Sequence, residues 1–205
     1  MKPYHHGALR QALIAAAEAA LAEHGLEGFS LRDVARRAGV SHGAPAHHFG
    51  DVRGLLTAVA AHAFADLIAR LEAVADTPDR PDRLKRMAVA YVDFAVHQPA
   101  RFDLMWRSAI LDPDDREYRD AADRAFAILN EGVTGSEVVV EIPSDPALAS
   151  PVAVWCLMHG FARGMLDGAF GRDRAALDHA VKVLLPAVLA AAAGLFAEDI
   201  HPPTR

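Results

Sequence analysis

Cysteine is nearly missing from this chain: Cys156 stands alone among 205 residues, so no internal disulfide can staple the fold. It sits between Trp155 and Leu157 in an apolar run, where a free thiol usually behaves as a small buried hydrophobe, and burial is expected. Long apolar runs are also missing. Val183 to Ala197 falls short of the roughly 20 residues that span a bilayer and is broken by Pro186 and Gly194, which predicts a buried helix and no membrane partner. The opening, Met1 to Gly7, is polar and lacks the charged-then-apolar pattern of a secretory leader, so a cytoplasmic protein is expected. No glycine-rich phosphate loop, paired-carboxylate motif or nucleophile-and-base spacing is present, so neither catalysis nor a cofactor is expected. The pairs His5-His6 and His47-His48 do not suggest a metal, because adjacent side chains on a helix point to different faces and no cysteine or carboxylate cluster joins them.

Net positive charge is scarce too. The chain carries −6 overall, which argues at first against a nucleic-acid partner. The distribution weakens that argument. Residues 1–56 hold six bases (Lys2, Arg10, Arg32, Arg36, Arg37, Arg53) against five acids (Glu18, Glu23, Glu27, Asp33, Asp51), a net +1. The remainder therefore carries −7, and six of the eleven histidines lie in the mildly basic N-terminal part.

What the chain does have is helical periodicity and helix punctuation. With 52% hydrophobic residues it can fill a substantial core. Leu9, Leu13, Ala16, Ala17, Ala20 and Leu21 recur every three or four residues and predict a first helix over about Arg10 to His24, stopped at Gly25. Ser30-Leu31-Arg32-Asp33 has the form of a capping box and opens a second helix to about Ala38. Gly39 can take the positive φ of a tight turn, Val40 can plug the space between two helices, and Ser41 can cap a third helix through Phe49. Gly50-Asp51 closes that helix and caps a fourth, to about Ala75, and Thr77-Pro78 breaks the chain. Further helices are predicted at about Asp82–His97, Pro99–Ser108, Asp115–Glu131, Pro146–Gly168 and Arg172–Ala197, with Glu137 to Ile142 as an irregular loop. The expected fold is all-α.

Two short helices and a tight turn fit a helix-turn-helix, whose second helix enters the major groove, and fit an ordinary helical hairpin equally well. As a reading helix, Ser41-His42-Gly43-Ala44-Pro45-Ala46-His47-His48-Phe49 has small side chains that permit close approach, histidines long enough to reach DNA, and Phe49 as an anchor. Pro45 costs little so near a helix start.

The segment from Ser30 through Val34, Ala35, Gly39, Val40 and Ser41, continuing through His47-His48-Phe49 to Leu55-Leu56, resembles the DNA-binding signature of the tetracycline-repressor (TetR) family. The opening Tyr4-His5-His6-Gly7-Ala8-Leu9-Arg10 resembles the start of many members, so the likeness covers roughly the first 56 residues. Further on, Trp155-Cys156-Leu157-Met158-His159-Gly160 is similar to the Trp-His-Gly element of one regulatory-domain subgroup. The resemblance implies a transcriptional regulator, by family habit a repressor, that binds double-stranded operator DNA as a homodimer and answers to a small-molecule effector, with an N-terminal three-helix helix-turn-helix domain over residues 1–50 and a helical-bundle ligand-binding and dimerisation domain over residues 51–205. Arg10, Ser30, Arg32, Ser41, His42, Gly43, Ala44, Pro45, Ala46, His47, His48 and Arg53 are then the expected DNA-contacting positions. Two positions depart from the family: Ala46 where tyrosine is common, and Val52 where lysine or arginine is common. Both usually serve phosphate, and Arg53 and His47 are the candidate replacements.

Phe64, Tyr91, Phe94, Phe102, Met105 and Trp106, with Trp155, Met158, His159 and Ala162, are either core or the lining of an effector pocket. Leu177, Val181, Leu184, Leu185, Val188, Leu189 and Leu195 form a stripe too wide for one buried side and suit a dimer interface. The rival reading is a helical small-molecule binder or enzyme whose N-terminal module no longer holds DNA well.

Overall fold

The computed structural model describes residues 6–135 and 148–197, with side chains over 7–135 and 148–192. Among the described residues every regular element is helical: α1 (His6–His24), α2 (Leu31–Arg37), α3 (Ala44–Phe49), α4 (Val52–Ala75), α5 (Arg80–His97), α6 (Pro99–Met105), α7 (Arg116–Thr134), α8 (Ala149–Asp167), α9 (Arg174–His179) and α10 (Leu185–Ala197). A short 3₁₀ turn at Ser108–Ile110 follows α6. The expected loop at Glu137 to Ile142 lies outside the described residues.

The chain forms two compact units, one of residues 1–69 and 97–126, the other of residues 70–96 and 127–205. The boundary expected at residue 50 does not coincide with them, because α4 continues past Asp51 as part of the first core and α6 returns to it.

In the first unit Leu13, Ala17 and Leu21 of α1 meet Val34 of α2, Leu55 and Val59 of α4, and Leu104 and Leu111. Each is almost solvent-free, so truncating any of the leucines to alanine costs about 2–5 kcal/mol. Val40 and Phe49 are half-buried against this cluster, as plug and anchor respectively.

In the second unit α5 turns Met87, Tyr91, Val92 and Phe94 inward, α7 contributes Ile128, Leu129 and Val133, and α8 contributes Met158, Phe161, Ala162 and Met165. Gly132 lets α7 approach α5 closely: an added Cβ would stand 2.7 Å from Met87 Sδ.

The long C-terminal helix expected from Arg172 onward is not uniform. Asp173 caps α9 by accepting from the Ala176 amide at 2.8 Å, and the backbone then passes through a π-helical stretch, Ala180–Leu184, before α10. Pro186 accounts for the irregularity, since its ring lacks an N–H and crowds the carbonyl four residues earlier, which a widened turn relieves. Cys156, expected in the core, is exposed on α8. Residue 156 shares a helical edge with Ala149, Ala153 and Gly160, all exposed, while Met158, Phe161 and Ala162 face the interior.

Candidate nucleic-acid interface

The local chemistry of residues 23–54 sets the reading surface. Ser30 has extended backbone, and its hydroxyl accepts from the Asp33 amide at 3.2 Å, so α2 starts where a side-chain oxygen satisfies a free donor. Asp33 accepts in turn from Arg36 and Arg37, and Arg37 also reaches Glu23 at 2.7 Å, tying α2 to the end of α1. The Arg37 guanidinium holds both the Asp33 and the Glu23 carboxyls below the usual carboxylate range, and those carboxylates raise the Arg37 pKa.

At Gly39 φ is +67°, the left-handed value that a side chain disfavours, and the chain turns there toward α3. Ser41 does not cap α3 through its side chain. Its carbonyl accepts from the Ala44 amide at 3.0 Å in a turn, and Gly43 becomes the residue before the helix, without a side-chain cap bond. Pro45 falls in the first helical turn, where its fixed φ suits the start and its missing donor leaves nothing unsatisfied. Asp51 caps α4 by accepting from the Gly54 amide at 2.9 Å. Gly54 is required for close approach, because an added Cβ would collide with the Phe49 carbonyl oxygen.

Exposure sorts the expected DNA contacts. Ser30, Arg32, Ser41, His42, Gly43, Ala46 and His47 are exposed, while Ala44 and His48 are half-buried. Pro45 is buried and acts as an anchor, a correction to its place among the contacts. The His47 and His48 rings lie edge to face at 5.6 Å, and His48 leans on Phe49 at 6.3 Å.

Two expected phosphate ligands also have partners within the chain, Arg53 remaining exposed and Arg10 half-buried. Arg10 donates to Glu117 at 2.6 Å with its guanidinium over the Phe49 ring, and Arg53 donates twice to the Leu111 carbonyl, at 2.9 and 2.7 Å. Both partners have one source: residues 97–126 fold back onto the N-terminal helices and present acceptors that spacing along the chain cannot reveal. Thr57 completes the attachment, donating to the Arg53 carbonyl and accepting from the Asp112 amide.

A second cluster in the same unit was not legible in the sequence. Arg101 on α6, with a side chain only 9% exposed, meets Glu18 of α1 at 3.1 Å and Asp66 of α4 at 2.7 Å, and His62 of α4 lies 2.7 Å from Glu18. Three helices are therefore tied through one buried guanidinium. A cleft of about 330 Å³ lined by Leu21, His24, Glu27, Ala100, Asp103 and Arg107 lies in this unit, and none of the expected effector residues lines it.

Those effector residues fall into two groups. In the first unit Phe64, Phe102 and Trp106 form a cluster of edge-to-face rings 5.7–6.3 Å apart, with Met105 buried nearby in sequence and Trp106 partly exposed. In the second unit Tyr91 and His159 approach at 2.9 Å between hydroxyl and Nδ1, and Trp155 lies 5.7 Å from the His159 ring. Burial pushes the Tyr91 phenol well above its ordinary range, while desolvation, with a smaller contribution from Arg163, lowers the His159 pKa. A neutral His159 accepting from the Tyr91 hydroxyl fits both shifts. Phe94, Met158 and Ala162 are fully buried.

A capped helix, a glycine turn and a short helix with one anchored and one exposed edge make up a helix-turn-helix, the motif whose second helix enters the major groove in DNA-binding regulators. The sequence is matched over residues 13–59 by the family described as bacterial regulatory proteins, tetR family, and over residues 84–195 by the tetracyclin repressor-like C-terminal domain. The chain belongs to the tetracycline-repressor family. It is 26% identical over 170 residues to the HTH-type transcriptional repressor AcnR of Corynebacterium glutamicum, covering 80% of each chain. Among solved structures it is similar to a protein of unknown function from a Rhodococcus species, at 31% identity and a TM-score of 0.71, covering 97% of this chain and 98% of the other. It is also similar to the TetR family regulator PfmR of Thermus thermophilus, at 26% identity and a TM-score of 0.61, covering 87% of this chain and 97% of the other.

Proposed function

We propose that this regulator binds a palindromic operator as a homodimer in the cytoplasm and represses transcription until a small-molecule effector releases it. The observation that carries the reading is the exposed edge of the α2–α3 unit: Ser41, His42, Ala46 and His47 face solvent, while Pro45 and Phe49 hold α3 to the core. Arg32 and Ser30, at the start of α2, are assigned to the DNA backbone, and the small Gly43 and Ala44 to the close approach of α3.

The dimer contact is assigned to the second unit. Leu177, Val181, Leu184, Val188 and Leu189 remain half-exposed in the protomer, and Val183 is 54% exposed. Helix Arg174–Ala192 is long and apolar enough to cross a membrane and is mostly unburied, a composition equally suited to burial against a second copy. Leu185 is withdrawn from this surface because it is fully buried within the protomer, and the Leu195 side chain lies outside the described residues.

The effector reading rests on the aromatic side chains of the second unit. A nonpolar molecule with one hydrogen-bonding group would exchange with the Tyr91–His159 contact and lie against Trp155, and this reading includes the likeness of residues 155–160 to the Trp-His-Gly subgroup. The engagement of Arg10 and Arg53 favours one element of the rival reading, a weakened hold on phosphate.

Sedimentation of the protein with a labelled duplex of about three helical turns, followed by affinity measured across salt, tests the proposal. Two chains per duplex and a steep loss of affinity with salt are expected. One chain per duplex, or no complex, would overturn it.

A further inference from the structure

The charge of the reading surface depends on histidine. Among the described cations of residues 10–53, Arg10 and Arg53 are held by Glu117 and by the Leu111 carbonyl, and Arg36 and Arg37 share Asp33, with Arg37 also on Glu23. Arg36 and Arg53 stay exposed but carry these partners, whereas Arg32, His42 and His47 are exposed with no ion pair among the described residues. Ala46 and Val52 are exposed beside them and bring no charge, Val52 being 40% exposed.

Among the described residues that leaves Arg32 as the exposed arginine of this region without a partner, which is little against a duplex that carries one negative charge per about 1.7 Å of axis. Imidazole is the side chain whose charge changes between about pH 5 and 8, and an adjacent anion favours its protonated form. We propose that His42 and His47 bind operator phosphates as imidazolium groups, so that DNA binding by this protein takes up protons and weakens as pH rises. This rests on the DNA-binding reading above and adds the proton as a second ligand of the same surface.

The charged and titratable groups on the elements that pack with α3 are consistent with the assignment. On α2 these are Arg32, Asp33, Arg36 and Arg37, with Asp33 occupied by the two following arginines. Beside α4 they are Asp51, which accepts from the Gly54 amide, and Arg53, which donates to the Leu111 carbonyl. On α1 they are Arg10, over the Phe49 ring, with Glu18, Glu23 and His24 toward the other end, and on α3 itself His48 lies against His47. Among the described residues no ion pair joins a carboxylate to His42 or His47.

The sign follows from linkage. If the complex binds more protons than the separated molecules, affinity falls with rising pH, by up to about tenfold per pH unit for each proton taken up. Two histidines in each of two half-sites make a loss of at least about tenfold between pH 6 and 8 the modest expectation. The salt dependence should also be steeper at pH 6, by about 0.9 in log–log slope for each added phosphate contact.

The test uses the full-length protein and a duplex selected by it from a random pool at about pH 6.5, with affinity followed by fluorescence anisotropy from about pH 6 to 8. The expected result is a loss of about tenfold or more for the wild type, a flat profile for the H42N/H47N double variant, and affinity retained at the upper end of the range by H42R/H47R. Circular dichroism establishes that the variants fold. Tight binding that is flat with pH, or a slope that survives in H42N/H47N, would overturn the proton linkage and leave the DNA-binding reading standing. Failure to bind any duplex at any pH would overturn both.

Discussion

Replacing Arg101 with methionine removes the charge at the centre of the α1–α4–α6 cluster while keeping an apolar stem of similar length. The side chain is 9% exposed, and its partners Glu18 and Asp66 are 19% and 45% exposed. A fully buried pair broken on one side costs about 3–5 kcal/mol, because the remaining charge is stranded. Glu18 retains some water and keeps His62 at 2.7 Å, which lowers its share to about 2 kcal/mol, and the more exposed Asp66 contact adds at most about 1 kcal/mol. Arg101→Met is therefore expected to cost about 2–3 kcal/mol, or a fall in Tm of roughly 4–12 °C for a chain of this size. Urea unfolding followed by circular dichroism measures it. Adding Glu18→Gln should cost less than the separate changes combined, by about 1–2 kcal/mol, since the two groups act as one unit. A midpoint and slope indistinguishable from wild type in Arg101→Met would refute the reasoning and leave the cluster as a surface contact of no consequence.

Other perturbations test other parts of the account. Gly54→Ala puts a methyl group against the Phe49 carbonyl, so a loss of about 1–3 kcal/mol in stability is expected, together with weaker DNA binding because α3 must shift; both are read from thermal melts and anisotropy. Ser30→Ala removes the α2 cap and should cost about 1 kcal/mol, which urea unfolding would show. The lowered His159 pKa fixes a pH effect. Above about pH 6.5 the group is neutral in both folded and unfolded chains and contributes nothing; below it the unfolded chain takes up the proton first, so stability falls with pH, and His159→Gln should flatten that part of a urea-midpoint series. The raised Tyr91 pKa works at the other end: above about pH 10 the unfolded phenol ionises while the buried one does not, and stability is lost, an effect that Tyr91→Phe removes.

What could be read from the sequence was local. The Ser30 and Asp51 caps, the positive φ at Gly39, and the inward faces of Val40 and Phe49 each depend on a few neighbouring residues, and spacing was enough to find them. Ser41 looked like a cap as well, but a turn through Gly43, with Pro45 suited to the first helical turn, delayed the start of α3 to Ala44. Long-range partners were out of reach. Arg10 meets a carboxylate 107 positions away and Arg53 a carbonyl 58 positions away, and nothing near either arginine distinguishes a phosphate ligand from an internal donor. The same holds for the Glu18–His62–Arg101–Asp66 cluster, whose members lie on three helices. Cys156 followed the average habit of free thiols in expectation, yet the helical phase set by Met158 and Ala162 turns it outward.

The central claim is that α3 enters the major groove in two symmetry-related copies, and selection of bound duplexes from a random-sequence pool addresses it most directly. The account predicts enrichment of an inverted repeat whose half-sites lie about 34–36 Å apart or a multiple of that distance. The enrichment should disappear for a variant in which His42, Ala46 and His47 are all replaced by glutamate. A pool that stays random after repeated rounds, or an enriched site that the glutamate variant binds as well as wild type, would contradict it.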